Sequence, residues 1–445
     1  MPSLSDKLKA LGVKVGAQGL PPHPQPAASP APGLPSAAEA GAPPTLEAVL
    51  GGGRRANPLG ACYVVEARYP DGAPHGQARL GLRPQRPGLA AWAGNPRLAG
   101  LPAEAFAFLD TETTGLSGGT GTLAFLIGAG RFIDGEFVLL QFFLNDPLDE
   151  PGQLAALEQF LAPCQAIVTF NGKSFDAPLL VTRYTQHGWR APLLDLAHLD
   201  LLHLARRLWR ERLPSRTLGN LEVQILGALR SGDDIPGWAI PQMYADYLRS
   251  GDPTPLRQVF YHNAMDVLSL AALMDHMAVL LDEPLALGGR FGIDLLSLAR
   301  LFEDLGQLDQ AARLYLYGLA HEDAQNERIP RPLLAGALHR LAGIHRRQGD
   351  LPAAMGLWEQ AARQGDLQAC VELAKCCEHS LRDPHAALRW TSAALQLVDA
   401  ASPRPADPTY LGLYERRRWT AELGHRRDRL IKKTHAKPTD PPPEA

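Results

Sequence analysis

The chain has 445 residues, of which 45% are hydrophobic and 20% charged, and a net charge of −3. That length predicts two or three domains rather than one core, and the composition is that of a globular protein. A charge this close to neutral neither demands nor forbids a nucleic-acid partner, and with no run of about 18 apolar residues no membrane span is expected.

Residues 1–58 carry long Pro/Ala/Gly stretches such as "PPHPQPAASPAPGLPSAAEAGAPP". They cannot bury enough apolar surface to offset their ordering entropy, so a disordered segment is expected there. "LSDKLKALGV" ahead of them reads as a frayed tail or a short amphipathic docking helix, and "MPSLSDKLKALGVKVG" lacks the apolar stretch of a secretory signal. The five cysteines form no CxxC pair, so reduced thiols and a cytoplasmic location are expected.

Residues 59–285 read as an α/β domain. "CYVVEARY" and "AFAFLDT" are compact apolar strands, and "TLAFLIGAGRFI" and "EFVLLQFFL" flank Asp134-Gly135 as a hairpin. Helix and strand then alternate: "LAALEQFLAP" as helix, "AIVTF" as buried strand and "DAPLLVTRYTQHG" as helix. "HLDLLHLARRLWRERL", "TLGNLEVQILG" and the long "TPLRQVFYHNAMDVLSLAALMDHMAVLL" all have helical patterns. A mixed sheet flanked by helices follows. Residues 290–432 are helical throughout. Ala353-Ala354 recurs 33 positions on as Ala386-Ala387, and Leu357 is answered by Trp390, so an irregular tetratricopeptide-like repeat of helix pairs is expected. Residues 433–445 read as a disordered tail.

The chemistry lies in the acidic residues. The strand Phe106–Leu109 runs into Asp110 and Glu112, two apart and therefore on one face. Thr111 is expected to point away, while Thr113 and Gly115 supply a polar group and a turn. Burying two like charges together is costly unless a cation neutralises them. In "FNGKSFD", Gly172-Lys173-Ser174 looks like the end of a phosphate loop, but GxxxxGK[ST] requires glycine where Ile167 stands. Asp176 opens a helix instead, either as a simple cap or as a metal ligand favoured by the helix dipole. In "YHNAMD", His262 and Asp266 are four apart on one helix face, and Tyr261 is five from Asp266. A lone His–Asp pair at that spacing usually just faces solvent; its sequel to Asp110/Glu112 and Asp176 argues for a joint site. Two-metal phosphodiester cleavage needs converging carboxylates of this kind, and Mg²⁺ or Mn²⁺ prefers such oxygen ligands.

"FLDTETTGL", "FNGKSFDAPLL" and "YHNAMDVLSL" resemble the three motifs of the DEDD group of 3′–5′ exonucleases, which share the ribonuclease H-like fold. "LSGGTGTLAFLIG", "LDLLHLARRLWR" and "DDIPGWAIPQMYADYLRSGD" are similar, more narrowly, to the bacterial YprB-type ribonuclease H-like family, whose members often carry a tetratricopeptide-like C-terminus. The resemblance covers about residues 59–282 and implies that Asp110, Glu112, Asp176 and Asp266 bind two Mg²⁺ or Mn²⁺ ions. In that group's histidine subclass the base precedes the last Asp by five, and in its tyrosine subclass by four. Here the spacings are exchanged. His262 is taken as the base, since its helix face matches and its ordinary pKa suits the task, with Tyr261 in reserve.

Asn171 and Lys173 are candidate substrate contacts, together with Thr113 and Gly115, and Asp200 is a candidate supporting residue behind them. Arg206, Arg207, Arg210, Arg212 and Arg216, with Trp209 among them, form one basic stretch, and "ERRRWTAELGHRRDRLIKKTHAK" forms another. Such clusters suit phosphates; Trp209 either stacks a base or lies in the core. "SGGTGT" allows close backbone approach to a strand. The expectation is a 3′–5′ exonuclease acting on single-stranded 3′ ends of DNA or RNA, with the helical repeats binding a protein partner. The alternatives are a non-cleaving nucleic-acid scaffold and a structure-selective endonuclease on the same fold.

Overall fold

The computed structural model describes residues 43–81, 85–115, 121–232, 234–288, 291–325, 329–404 and 410–435. The expected linker residues 1–42, the tail from 436, and Ser117–Thr120 of "SGGTGT" lie outside the described residues.

A short helix, α1 (Leu46–Leu50), capped by the Thr45 hydroxyl, precedes strands β1 (Gly53–Asn57) and β2 (Gly60–Pro70). Ordered structure thus begins inside the stretch that composition assigns to a disordered segment. "GGGRRAN" has no apolar alternation, and β1 exists because it pairs antiparallel with β2 along its whole length. A small ribbon, β3 (Pro74–His75) and β4 (Ala78–Arg79), and helix α2 (Pro87–Ala93) lead to β5 (Phe106–Thr113), β6 (Ala124–Ile133) and β7 (Glu136–Phe143). Asp134 and Gly135 both have positive φ, 50° and 79°, as a tight two-residue hairpin between β6 and β7 requires. After α3 (Glu150–Leu161) come β8 (Ala166–Thr169), α4 (Asp176–Gln186), β9 (Ala197–Asp200) and α5 (Leu201–Trp209). The first residues of "HLDLLHLARRLWRERL" are therefore strand, not helix: β9 pairs parallel with β8, and Asp200 caps α5 by accepting the Leu202 N–H at 3.1 Å. "TLGNLEVQILG" forms only a short helix over Leu218–Leu221, which runs into a wide π turn over Glu222–Leu226. Helices α6 (Ile240–Ser250) and α7 (Leu256–Asp282) complete this part.

The seven-stranded sheet has the order β1-β2-β7-β6-β5-β8-β9. Pairing is antiparallel from β1 to β5 and parallel from β5 through β8 to β9. The period-two alternation of β5 assigns its faces. Phe106 and Phe108 enter a core with Val267 and Leu270 of α7, while Ala107 and Leu109 enter one with Leu157 of α3 and Leu180 of α4. Helices thus cover both faces, and the carboxyl ends of the parallel strands open on the crevice where open α/β sheets bind ligands. Helix α7 is long and apolar enough to cross a bilayer by length and composition, but 72% of its most apolar stretch is buried. Covering the sheet accounts for that apolarity.

The remaining chain is helical. Helices α8 (Gly292–Asp304) and α9 (Leu308–Gln325), α10 (Arg331–Arg347) and α11 (Leu351–Arg363), and α12 (Leu367–His379) and α13 (Pro384–Ala400) form successive packed pairs, closed by α14 (Leu413–His435). Asp350, Asp366 and Asp383 cap α11, α12 and α13 by accepting an N–H three residues on. Ala354 and Ala387, equivalent in the two copies, are both fully buried, where only a small side chain lets helices approach. Leu295 and Leu298 of α8 share one core with Leu204 and Trp209 of α5, so the helical part is seated directly on the α/β part. The buried Glu378 draws in Arg429 and Lys433 of α14 by ion pairs. That basic helix spends part of its charge on docking.

Candidate metal and nucleic-acid site

Asp110 and Glu112 project from the carboxyl end of β5, half-buried, on the α7 side of the sheet. The Asn263 amide of α7 donates to Asp110 Oδ2 at 3.0 Å, and Gln141 of β7 donates to Asn263 Oδ1 at 3.0 Å. This buried relay fixes the Asp110 carboxylate. It depends on Gly128, which is paired with Asp110 across β5 and β6, because a Cβ at that position would stand 2.3 Å from Asn263 Oδ1. Register slips between Glu112 and Thr113, a bulge of the kind that re-aims side chains beside sites.

Asp176 arrives from the opposite face, as the first residue of α4. The Thr111 hydroxyl donates to its Oδ1. The expectation that Thr111 merely points away therefore misses its part: pointing to the other face is how it meets Asp176. Asp266 comes from α7. Burial, followed by the charges of Asp266, Glu112 and Asp176, holds the Asp110 carboxyl well above the usual carboxylate range. Burial and then Asp266 and Asp176 push Glu112 up to about 8. Asp176 is raised chiefly by burial, and Asp266 likewise, although Arg230 and His262 partly counter the rise in Asp266. Four acids from three separate segments of the chain are thus all raised chiefly by burial.

Glu112, His262 and Asp266 offer ligand atoms within 4.8 Å of one another. The His262 Nδ1 lies 2.8 Å from Asp234 Oδ1, and its Nε2 lies 3.5 Å from Asp266 Oδ2. Both ring nitrogens thus face a carboxylate, and Nδ1 also lies 3.1 Å from Arg230 Nη1, so acidic oxygens and one guanidinium hold the imidazole in place. The 3.5 Å gap between Nε2 and Asp266 Oδ2 suits a proton or a cation between them. The donor set, oxygens with one imidazole and mutually repelling carboxylates, fits a hard divalent ion. The Tyr261 hydroxyl accepts the Ser231 N–H at 2.8 Å instead.

Arg230 is the residue that motif reading misses. Its guanidinium grips the buried Glu222 with two bonds of 2.6 Å, pairs with Asp266, and approaches Asp234 at 3.4 Å. It supplies a built-in positive charge to the acidic cluster. Arg230 and Asp234 flank the short turn that follows Glu222 and the π turn, a stretch with no periodicity to advertise it. Its one signal is Asp234 within "DDIPGWAIPQMYADYLRSGD".

The "FNGKSFD" turn is held from below. Asp200, buried at the end of β9, accepts the Asn171 N–H at 2.8 Å and the Lys173 N–H at 3.1 Å, and Asn171 takes a positive φ of 66°. The Lys173 side chain is exposed. The Thr113 hydroxyl donates to Gly115 O at 3.1 Å and so braces its own turn. Trp209 is 1% exposed and lies in the core, which settles it as packing.

A model of the RNase_H superfamily matches residues 107–278. The chain is 35% identical over 304 residues to uncharacterized protein YprB of Bacillus subtilis (strain 168), a match covering 66% of this chain and 69% of that protein. The structure of a family B DNA polymerase from the hyperthermophilic archaeon Pyrobaculum calidifontis aligns with a TM-score of 0.30 and 18% identity, over 49% of this chain and 30% of the polymerase chain. The chain spans under a third of that polymerase. The matched residues hold β5, α4 and α7, the elements that carry the acidic cluster, and the chain belongs to the YprB-type family within the ribonuclease H superfamily, a nuclease fold that processes nucleic acid.

Proposed function

We propose that the protein is a metal-dependent 3′–5′ exonuclease that hydrolyses phosphodiester bonds at the end of a single strand of DNA or RNA. One observation carries the reading: burial raises the proton affinity of Asp110, Glu112, Asp176 and Asp266, and the charges of Asp266 and Asp176 raise Asp110 and Glu112 further, an arrangement that costs stability unless cations offset it. These four residues would hold two Mg²⁺ or Mn²⁺ ions. Such ions, when bound, supply charge neutralisation, an activated water and stabilisation of the leaving oxygen.

The chain's own groups do the rest. His262, oriented by Asp234, takes the proton of the attacking water at Nε2, with Tyr261 as the reserve. Asn171, Lys173, Thr113 and Gly115 position the strand end, and Asp200 keeps the Asn171–Lys173 turn in place. The helical pairs serve to bind a protein partner.

Incubation of the purified protein with 3′- and 5′-labelled single-stranded DNA and RNA in Mn²⁺ tests this. Stepwise loss from the 3′ end is expected. Internal cuts would make it an endonuclease on the same fold. The second reading, a scaffold that binds without cutting, is favoured by the Arg230 guanidinium already paired with Asp266. It predicts binding with no product in any metal.

A further inference from the structure

The basic stretch after β9 divides on inspection into two kinds of arginine. Arg207 pairs with Asp304, Arg210 with Glu211 and Arg212 with Asp294. Those charges are neutralised and tie α5 to its own loop and to α8. Arg206 and Arg216 have no carboxylate partner among the described residues. These two line the same cleft, of about 480 Å³, whose wall also includes Phe170 and Asn171. The cleft therefore begins at the turn whose far end is Asp176.

Arg216 is braced before any ligand arrives. Its Nη1 donates to Leu213 O at 2.8 Å and to Pro214 O at 3.0 Å, which fixes the guanidinium without cancelling its charge. The Asn220 amide donates to Ser215 O at 2.7 Å and stiffens the same loop. An uncompensated, immobilised guanidinium beside a second, exposed one is suited to consecutive phosphates: little side-chain freedom remains to be lost at Arg216, whose Nη2 is left to donate to a phosphate oxygen, and the exposed Arg206 keeps its full fork.

We infer that the cleft of Arg206 and Arg216 is a subsite for the backbone phosphates of the strand whose end lies at the carboxylates. This rests on the nuclease reading above and deepens it. The acidic cluster repels a polyanion, so the strand needs cations outside the cluster, and these are the unpaired ones next to the Asn171 turn. A strand leaving the carboxylates past Asn171 enters the cleft directly.

The test is equilibrium binding of a fluorescent single-stranded 12-mer, as DNA and as RNA, by anisotropy in Ca²⁺, across a salt series. Two single-strand phosphate contacts contribute about 1.4 to the slope of log affinity against log salt, and so about 25-fold in affinity at 0.1 M salt. The Arg206→Ala/Arg216→Ala variant is expected to lose both, while Arg206→Lys/Arg216→Lys keeps most of the slope. Arg210→Ala, whose partner is Glu211, is expected to bind like the wild type. Equal slope and affinity in the wild type and the double alanine variant would overturn the subsite and leave the nuclease reading standing. Failure of the wild type to bind either strand would overturn the nuclease reading and the subsite with it. Calorimetric binding of inorganic phosphate that the double alanine variant loses, with strand binding unchanged, would assign the cleft to a free anion and overturn the strand subsite.

Discussion

Asp200 holds the backbone of Asn171 from 29 positions away, its Oδ1 accepting the Asn171 N–H at 2.8 Å while its Oδ2 takes the Lys173 N–H at 3.1 Å. A buried carboxylate at the end of one parallel strand thus sets the shape of the turn after the next. Asp195, five residues earlier, has no such duty; it pairs with Arg190 at the surface.

Asp200 therefore acts on the cleft only through that turn. Asp200→Ala leaves buried N–H groups without an acceptor and is expected to lower stability by about 1–3 kcal/mol. Because Asp176 and Asn171 lie on the released turn, kcat is expected to fall about 100-fold, the cost of misplacing groups by about an ångström. Thermal melts and single-turnover cleavage read both effects. Melting loss with unchanged cleavage would confine Asp200 to stability.

Gly128 is the second such support. A methyl group there meets the Asn263 amide, which is fully buried and bonded to both Gln141 and Asp110. Gly128→Ala must push α7 off the sheet or break the relay, at a cost of about 1–3 kcal/mol for overpacking. Since α7 also carries His262 and Asp266, cleavage is expected to fall with stability. Wild-type melting and activity in this variant would show that the helix can shift freely and that the close approach is not required.

The raised carboxyl groups make stability depend on pH and metal together. An unfolded Glu titrates near 4.3, whereas folded Glu112 does so at about 8. Between those values the folded state keeps a proton that the unfolded state has lost, so unfolding free energy falls as pH rises. Asp110, Asp176 and Asp266 shift in the same direction. In EDTA the contribution is therefore fully favourable below about pH 4 and is lost towards about pH 8. Bound Mn²⁺ removes the penalty, so the gap in Tm between Mn²⁺ and EDTA is expected to widen from about pH 5 to about pH 8. In Asp110→Asn, one buried charge fewer, the EDTA slope flattens and the gap shrinks. A gap independent of pH in the wild type would mean that these carboxylates do not bind the ion.

Which parts of this were readable from the chain follows from what each part depends on. Asp110 and Glu112 sit on a strand whose apolar alternation is local, so their shared face is visible in eight residues. Asp176 and Asp266 come from spacing on helices, also local. Strand β9 is hidden because its four residues, Ala197 to Asp200, read into the helical pattern that follows, and only pairing with β8 makes them a strand. Strand β1 is hidden in a glycine-rich stretch for the same reason. The Thr111–Asp176 bond, the Gly128–Asn263 contact and the Arg230–Asp266 pair each join elements from different parts of the sheet. No periodicity encodes which helix crosses which strand, and these contacts emerge only once that crossing is formed.

The choice between His262 and Tyr261 is the point on which motif spacing and geometry can be tested against each other. Spacing alone exchanges the two subclasses. In the fold, His262 faces Glu112 and Asp266, with Asp234 at its Nδ1, whereas the Tyr261 hydroxyl is bound to the Ser231 backbone. Removing a general base typically lowers kcat about 10²–10⁴-fold, so His262→Ala is expected to fall in that range with little change in strand binding. Tyr261→Phe loses one hydrogen bond at the rim and is expected to stay within about threefold of the wild type, the size of a single exposed bond. Asp234→Asn keeps the shape but removes the negative charge beside Nδ1, and is expected to lower kcat about tenfold while leaving the strand affinity unchanged. Single-turnover cleavage with anisotropy on the same samples separates kcat from binding. Loss of cleavage in Tyr261→Phe with activity kept in His262→Ala would transfer the base to Tyr261 and make the Asp234–His262 contact structural.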